Sequence, residues 1–344
     1  MNFKALTDRK NRYELLLFVI FFMILLYYRL RAKHKNSIQP DCRSYYLMAQ
    51  NIHIIFRSAI FNPFCYRILV PFLVYISPLE TDMSFIILSF VSLYLTGIVL
   101  YYTLRIKFNR ILSTYGLLAF ITLEIIDISF DNYYLVDSVA YFFIILCFYA
   151  ILKENKRLYL ISLIFGVLTK ETALFTIPVF LLYSIYFAEE DQREIKIDKD
   201  VILQIIKLSK YFAPSLIIFI FLRIIIKPYP GGIYDNIFVL FAETANYHLN
   251  RTIERPYYIG SYILAWEFIP LFFCFFNKKG DFYKWLKIYG IFMFLVFFQL
   301  AVAHSPTNRL LLVGFYPVIY LSVSGLNQLL YKENIEKEKF NNIS

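Results

Sequence analysis

Acidic and basic side chains recur near the ends of the long apolar runs of this chain, and their types suit proton transfer and phosphate binding. Asp41 follows the first apolar run, and Lys170-Glu171 interrupts a later one. A carboxylate can accept a proton from a hydroxyl group or hold a divalent cation, and Lys and Arg side chains bind phosphates. The remaining candidates for such chemistry are Arg67, Asp127, Asp131, Asp137, His304 and Arg309.

The carboxylates also have a structural interpretation. Asp41 could be the N-cap of a helix that follows it over 43–60, because an aspartate at that position accepts hydrogen bonds from free backbone N–H groups. Asp131 and Asp137 flank the start of an apolar run, where carboxylates complement a helix N-terminus. The segment 304–309 (HSPTNR) combines a candidate site with residues that are typical of turns. The sequence leaves both interpretations open for each of these residues.

Lys170 and Glu171 form an adjacent cation and anion inside an apolar run. Such a pair must form a salt bridge, face water or bind a charged ligand. The run Leu158–Phe187 would be about 45 Å long as one helix, against a bilayer core of about 30 Å, so we expect two short spans with a break at Lys170-Glu171. At this break Lys170 could lie at the floor of an outward-facing cavity, or pair with Glu171 or an aspartate.

The composition indicates a multi-pass membrane protein. Hydrophobic residues make up 59% of the chain and charged residues only 17%, which is typical of integral membrane proteins. The net charge of +10 comes from short clusters of Lys and Arg between apolar runs, as the positive-inside rule describes. We therefore predict membrane lipids as partners and no binding of nucleic acid. The composition is also typical of an AT-rich genome, which favours a bacterial inner membrane.

We predict an all-α, polytopic fold with about ten transmembrane helices in a single domain over residues 1–344. The first run resembles a short, uncleaved membrane anchor, since no small-residue cleavage site follows it. The apolar runs are Leu15–Tyr28, Phe85–Leu104, Ile111–Ile128, Tyr134–Leu152, Leu158–Phe187, Val201–Ile226, Tyr257–Phe276, Trp285–Ala303 and Leu310–Tyr331.

The connections between these runs predict the orientation of the chain. Lys and Arg cluster on the side of the amino terminus, at 105–110, 153–157 and 278–284, so we expect that side to be the cytoplasm. Both termini would then be cytoplasmic, with 332–344 as a tail. The other side would carry a first outer loop over 29–80 and a long outer loop over 227–256. Several cations of the first outer loop break the rule, so either the orientation is reversed or these cations meet lipid phosphates.

The first outer loop is predicted to contain short helices that lie in the membrane interface. Ile52, Ile55 and Phe56 recur at helical spacing, which is typical of an amphipathic surface helix. Prolines at 63, 71 and 78 are expected to divide the region into short pieces. A disulfide between Cys42 and Cys65 is an open alternative, because an outer compartment would be oxidising.

Several of these features together resemble the GT-C superfamily of polytopic membrane glycosyltransferases. They are Asp41 with Tyr45-Tyr46 after the first run, the surface helices, the segment Pro63–Pro71 with Tyr66-Arg67, and Thr169-Lys170-Glu171-Thr172. The resemblance implies a polyprenyl-phosphate-linked sugar donor, a lipid or glycan acceptor, and an acidic residue in the first outer loop that activates the acceptor. Asp41 matches that acidic residue by position. Many members carry a second acid beside it, where this chain has Cys42, so no metal ligand is assigned, and a divalent cation is allowed without being required.

The resemblance also implies roles for the other candidates in inverting sugar transfer. Asp41 would be the catalytic base, and Arg67, Lys170 and Arg309 would bind the phosphate. Substrate groups would be positioned by the other predicted site residues, which are Tyr45, Asp131, Asp137, Glu171 and His304. The alternatives are an envelope polysaccharide polymerase, a transporter or flippase of a lipid-linked saccharide, and a non-catalytic membrane scaffold.

Overall fold

The computed structural model describes residues 19–20, 23, 40–57, 59–60, 64–122, 132–187, 199–229, 273, 286–291 and 315–341. Every regular element in these ranges is a helix, which confirms the predicted all-α class. The side chains of 40, 41, 122 and 331–341 lie outside the described part, as do most of the predicted spans 15–28, 257–276 and 285–303 and nearly all of the loop 227–256.

The described part of the first outer loop contains four short helices, which we call the surface region, residues 40–75. They are α1 Pro40–Gln50, the 3-10 helices Ile52–Arg57 and Phe64–Tyr66, and α2 Leu69–Tyr75. The prediction of short pieces is therefore confirmed, but the prediction that Pro71 separates two of them is wrong. Pro71 lies in the first turn of α2, where a proline is tolerated because the N–H it lacks would have no partner within the helix.

Cys42 and Cys65 do not form the disulfide that the sequence left open. Both are in the thiol form and both are buried in the same apolar cluster of the surface region. Burial raises the pKa of the Cys65 thiol to about 12, which keeps it protonated and unreactive. Their role in this structure is to fill the core of the surface region.

Beyond the surface region, the described residues form eight α-helices, together with a 3-10 helix at Glu171–Phe175. The α-helices are α3 Thr81–Leu104, α4 Arg110–Thr122, α5 Asp137–Leu152, α6 Lys156–Thr169, α7 Thr176–Tyr186, α8 Lys199–Ser209, α9 Ala213–Ile225 and α10 Phe315–Asn341. Small polar residues allow close packing, as where Ser89 of α3 and Ser138 of α5 hydrogen-bond at 2.6 Å. Aromatic rings fill wider gaps, as where Tyr159 stacks on Phe180 at 4.1 Å between ring centroids.

The predicted break at Lys170-Glu171 is confirmed. Helix α6 ends at Thr169, Lys170 is extended with φ −161° and ψ 135°, and a 3-10 helix Glu171–Phe175 leads into α7. Gly166 makes this close reversal possible, because a Cβ at that position would lie only 2.7 Å from the Cβ of Ala173. The chain therefore turns back at the ionisable pair, as the length of the apolar run required.

The run Val201–Ile226 does not form one straight helix. It is divided into α8 and α9, which are bent by 63° relative to each other. Pro214 lies in the first turn of α9, where its ring disfavours continuation of the preceding helix. The proline was a visible signal of this break.

The predicted number of spans is not confirmed by the structure. Among the described residues, α3 alone is long and apolar enough to cross a membrane as a single helix, and the bent pair α8 and α9 would be a second span if it crosses as one. The apolar segments 110–121, 137–152 and 171–186 are shorter. Helix α10 extends past the predicted end of its run at Tyr331 to Asn341, into the predicted tail.

The surface region packs on one end of the helical bundle. Its buried residues share an apolar cluster with Phe85 near the start of α3, with Leu135, Val136 and Val139 around the start of α5, and with Ile226 after α9. The backbone N–H of Tyr229 also donates to the carbonyl of Ile60 at 2.9 Å. The described starts of α3 and α5 and the described end of α9, which the sequence assigned to the outer side, therefore lie together against the surface region.

Candidate functional site

Arg67 is the centre of the candidate site. It directly follows the 3-10 helix Phe64–Tyr66 and is only 9% exposed. Its Nε donates to Oε2 of Glu171 at 3.0 Å, its Nη2 contacts Oε1 of the same carboxylate, and its Nη1 donates to the hydroxyl of Tyr45 at 2.9 Å. This two-point contact fixes the carboxylate in the plane of the guanidinium.

Electrostatics keep both members of this pair charged. Burial alone would lower the pKa of Arg67, but the Glu171 carboxylate and the Tyr45 hydroxyl together outweigh burial and raise that pKa. Burial alone would raise the pKa of Glu171, but the Arg67 guanidinium lowers it to about 2. The pair is thus an ionised salt bridge at neutral pH, with the Tyr45 hydroxyl as an additional acceptor.

Lys170 and Asp137 form a second buried salt bridge beside the first. The Lys170 ammonium contacts Oδ1 of Asp137, and the two residues are 3% and 4% exposed. Asp137 is the first residue of α5, where its charge also complements the helix N-terminus. Two structural interpretations from the sequence are therefore confirmed, because Asp137 lies at a helix start and Lys170 pairs with an aspartate.

The two salt bridges extend in different directions from neighbouring residues. Successive side chains of an extended backbone point to opposite sides, and Lys170 has that conformation. Lys170 reaches Asp137 of α5, whereas Glu171 reaches Arg67 of the surface region. The break between α6 and α7 thereby joins the helical bundle to the surface region through charges.

Asp41 lies close to this site along the chain. It is within α1, one turn before Tyr45. The N-cap interpretation is wrong, because α1 already begins at Pro40 and Asp41 is therefore a residue of its first turn. The continuous helix expected over 43–60 is also wrong, because α1 ends at Gln50 and a separate 3-10 helix follows.

The structure therefore gathers five of the predicted site residues at the junction of the surface region and the bundle. They are Tyr45, Arg67, Asp137, Lys170 and Glu171. Asp131, His304 and Arg309 lie outside the described residues, as does the side chain of Asp41. The chain matches no family model, no curated protein and no solved structure.

Sequence reasoning missed Arg223 of α9. Its guanidinium lies 4.6 Å from the ring centroid of Tyr66 and 3.6 Å from that of Phe219, and its Nη1 donates weakly to the carbonyl of Phe219 at 3.4 Å. The sequence did contain a signal for Arg223. An arginine inside the apolar run Val201–Ile226 carries a free-energy cost in a membrane, so its presence indicates a functional role.

Within the ranges that the structure describes, no three His, Cys, Asp or Glu side chains are grouped so that they could hold a metal ion. The carboxylates of the site are instead engaged by cations, with Glu171 on Arg67 and Asp137 on Lys170. The resemblance allows a divalent cation at the site without requiring one, and this stays a prediction.

Proposed function

We propose that the protein is a multi-pass glycosyltransferase of a bacterial inner membrane, with both termini in the cytoplasm. It would transfer a sugar from a polyprenyl-phosphate donor to a lipid or glycan acceptor at the outer face. The observation that carries this proposal is the gathering of Tyr45, Arg67 and Glu171 beside Lys170 and Asp137, next to the helix that contains Asp41. These residues are far apart in the sequence, and a packing role alone would not require so many ionisable groups at one place.

The exposed apolar side chains of the described helices support a membrane location. Helices α8 and α9 expose a broad apolar surface, on which Ile224 is 71% exposed and Ile206 61% exposed. An extended apolar surface of this kind is typical of a region that meets lipid or another apolar partner. Arg105, Lys153 and Arg157 lie at the end remote from the surface region, where the positive-inside rule expects cations.

The proposed reaction needs a base, an electrostatic clamp and positioning groups. Asp41 removes the proton from the acceptor hydroxyl as that oxygen bonds to the anomeric carbon of the sugar. The bond from this carbon to the donor phosphate breaks, its electron pair remains on the phosphate, and inversion results. Cations near the phosphate stabilise the charge that develops there. Arg67 contacts the Glu171 carboxylate and Lys170 contacts the Asp137 carboxylate. These contacts support a role for the two cations in holding Glu171 and Asp137 in position to bind sugar or acceptor hydroxyls.

Transfer activity in membranes tests the proposal. Membranes that contain wild-type protein, Asp41→Asn or Asp200→Asn would be supplied with polyprenyl-phosphate sugars, and lipid and envelope glycans would be measured by mass spectrometry. Asp200 is an exposed residue in the first turn of α8, so Asp200→Asn is a matched control. We expect one glycan to be lost in Asp41→Asn and kept in the control, with both variants inserted at the wild-type level.

An unchanged glycan profile in Asp41→Asn would contradict the proposal. Movement of the intact donor between leaflets without a glycosylated product would instead indicate a flippase, and chain extension of an existing glycan would indicate a polymerase. Purified protein in detergent separates these outcomes, because sugar transfer needs no sealed compartment and transport does.

A further inference from the structure

Two tyrosine hydroxyls in the bundle form a hydrogen-bonded chain that ends on the 3-10 helix Glu171–Phe175. The hydroxyl of Tyr316, near the start of α10, donates to the hydroxyl of Tyr289 at 3.2 Å. The hydroxyl of Tyr289 donates in turn to the backbone carbonyl of Phe175 at 2.5 Å. Phe175 is the last residue of the 3-10 helix, and Glu171 is the first. Two residues that lie more than a hundred positions later in the sequence are therefore bonded in series to the element that carries Glu171.

The rings that carry these hydroxyls are held by packing. Tyr316 is 1% exposed, and its ring centroid lies 4.6 Å from that of Phe148 in α5. The ring of Tyr289 is half-buried and lies 6.5 Å from that of Tyr316. A tyrosine side chain has only two rotatable bonds before its ring, so a packed ring directs its hydroxyl to one place. The chain of hydroxyls therefore fixes the position of the Phe175 carbonyl relative to α10.

The 3-10 helix is held at both of its ends. At the first residue, Oε2 of Glu171 accepts from Nε of Arg67 at 3.0 Å. At the last residue, the carbonyl of Phe175 accepts from Tyr289. A 3-10 helix rises about 2 Å per residue, so these ends are only about 10 Å apart. A shift of the carbonyl at one end is therefore expected to displace the carboxylate at the other.

A buried tyrosine hydroxyl generally has a partner, and satisfying that need is the simplest role for the Tyr289 bond. Two observations favour a positioning role instead. In the part of the chain that the structure describes, the hydroxyl of Tyr102 is buried with no hydrogen-bond partner, so this bundle tolerates an unpaired tyrosine hydroxyl. The acceptor of Tyr289 is also a backbone carbonyl at the end of the break, and a backbone acceptor cannot rotate away without moving the break.

We propose that Tyr289 is a positioning residue for Glu171, with Tyr316 as its support. Arg67 holds the first residue of the 3-10 helix and Tyr289 holds the last, so the Glu171 carboxylate is kept in one place for a substrate hydroxyl. Tyr289 acts through Glu171 and not on the substrate. The inference rests on the proposed function and deepens it, because it makes the site depend on the packing of α10.

Thermal unfolding of the full-length protein in detergent tests the positioning without any measurement of activity. The four proteins are wild type, Tyr289→Phe, Glu171→Gln and the double variant. We expect Glu171→Gln to lower the unfolding temperature less in the Tyr289→Phe background than in the wild-type background, because Glu171 is then held less well against Arg67. Sites that do not interact give additive changes in stability. Additive shifts in unfolding temperature would therefore overturn the inference.

Tyr102→Phe is the matched control. Tyr102 is a half-buried tyrosine of α3, and removal of its unpaired hydroxyl breaks no hydrogen bond. We expect Tyr102→Phe to leave the shift caused by Glu171→Gln unchanged. Tyr316→Phe should reduce that shift less than Tyr289→Phe does, because Tyr289 keeps its own bond to Phe175. A larger reduction by Tyr316→Phe than by Tyr289→Phe would overturn the inference.

Sugar transfer tests the same chain of hydroxyls at the level of function. Membranes that contain wild type, Tyr289→Phe or Tyr102→Phe would be assayed at a temperature at which all three proteins are folded. We expect Tyr289→Phe to lower the transfer rate roughly threefold to tenfold, as for loss of one hydrogen bond between uncharged groups, and Tyr102→Phe to keep the wild-type rate. A wild-type rate in Tyr289→Phe would overturn the inference.

Failure of this inference and failure of the proposed enzyme are distinguishable. If the unfolding shifts of Tyr289→Phe and Glu171→Gln are not additive but membranes with wild-type protein show no sugar transfer, the positioning of Glu171 holds and the proposed enzyme fails. If transfer requires Asp41 but the unfolding shifts are additive, the enzyme stands and this inference fails.

Discussion

At the scale of single residues, the salt bridge between Arg67 and Glu171 adds a buried charge contact to the apolar packing of the surface region on the bundle. Glu171→Gln leaves the Arg67 charge in a buried position without a carboxylate, and loss of one partner of a fully buried pair costs about 3–5 kcal/mol. Because the Glu171 side chain is 29% exposed, we expect a smaller loss of about 2–3 kcal/mol. Thermal unfolding of the purified protein in detergent would measure it.

Glu80→Gln is the matched control for this change. Glu80 is exposed and is the residue before α3, so the same chemical substitution there should leave the unfolding temperature nearly unchanged. Equal unfolding temperatures for Glu171→Gln and Glu80→Gln would show that the salt bridge contributes nothing net to stability.

The same pair predicts how stability depends on pH. The pKa of Glu171 is lowered from 4.5 to about 2 in the folded protein, so the unfolded chain takes up the proton first as pH falls. The stability that ionised Glu171 contributes is therefore present above pH 4.5 and is lost as pH falls toward about 2. We expect the difference in unfolding temperature between wild type and Glu171→Gln to shrink across this window. A constant difference would mean that Glu171 does not titrate there.

Which charges pair with which could not be predicted from the sequence. The adjacency of Lys170 and Glu171 is compatible with a salt bridge between them, but the extended backbone at Lys170 directs them to different partners. Asp137 and Arg67 become those partners only through the packing of α5, α6 and the surface region. Arg223 was visible in the sequence as a charge inside an apolar run, but its position beside Tyr66 also depends on that packing.

At the scale of elements, the reversal between α6 and α7 depends on Gly166. A Cβ there would lie 2.7 Å from the Cβ of Ala173 and 3.4 Å from that of Phe143, so Gly166→Ala must push the following 3-10 helix away from α6. We expect a net loss of about 1–3 kcal/mol, despite the gain in helix propensity. Gly290→Ala is the control, because a Cβ at Gly290 meets nothing within 4 Å, and it should not destabilise the protein.

Thermal unfolding of both glycine variants in the same detergent would measure this difference. A Gly166→Ala protein as stable as wild type would show that the reversal can relax without cost. A Gly166→Ala protein that is still folded at the assay temperature but has lost transfer activity would indicate that the break also positions Glu171.

The elements show which sequence signals were sufficient. The break at Lys170-Glu171 was predictable, because the apolar run was too long for one crossing and contained two charges. The bend in Val201–Ile226 was missed, although Pro214 marks it and the polar residues Ser209 and Lys210 lie at the bend. Pro71 gave the opposite error, because it predicted a break where the helix continues. A proline in the first turn of a helix does not end that helix.

At the scale of the whole molecule, the proposed orientation places the surface region at the outer face of the membrane. It places the connection between α5 and α6 in the cytoplasm. The cations Arg105, Lys153 and Arg157, at the end remote from the surface region, support this orientation by the positive-inside rule. The cations of the first outer loop oppose it, so the orientation is best tested by labelling.

Single cysteines at the two ends make that test. Asn51 follows α1 and Lys153 follows α5, and both are exposed, so Asn51→Cys and Lys153→Cys are matched reporters. We expect a membrane-impermeant maleimide to label Asn51→Cys in intact cells and Lys153→Cys only after permeabilisation. Cys42, Cys65 and Cys147 are buried and should give little background, and Cys274 would be replaced by Ser in both reporters. The reverse labelling pattern would place the candidate site on the cytoplasmic face, where an outward-facing glycan could not be its product.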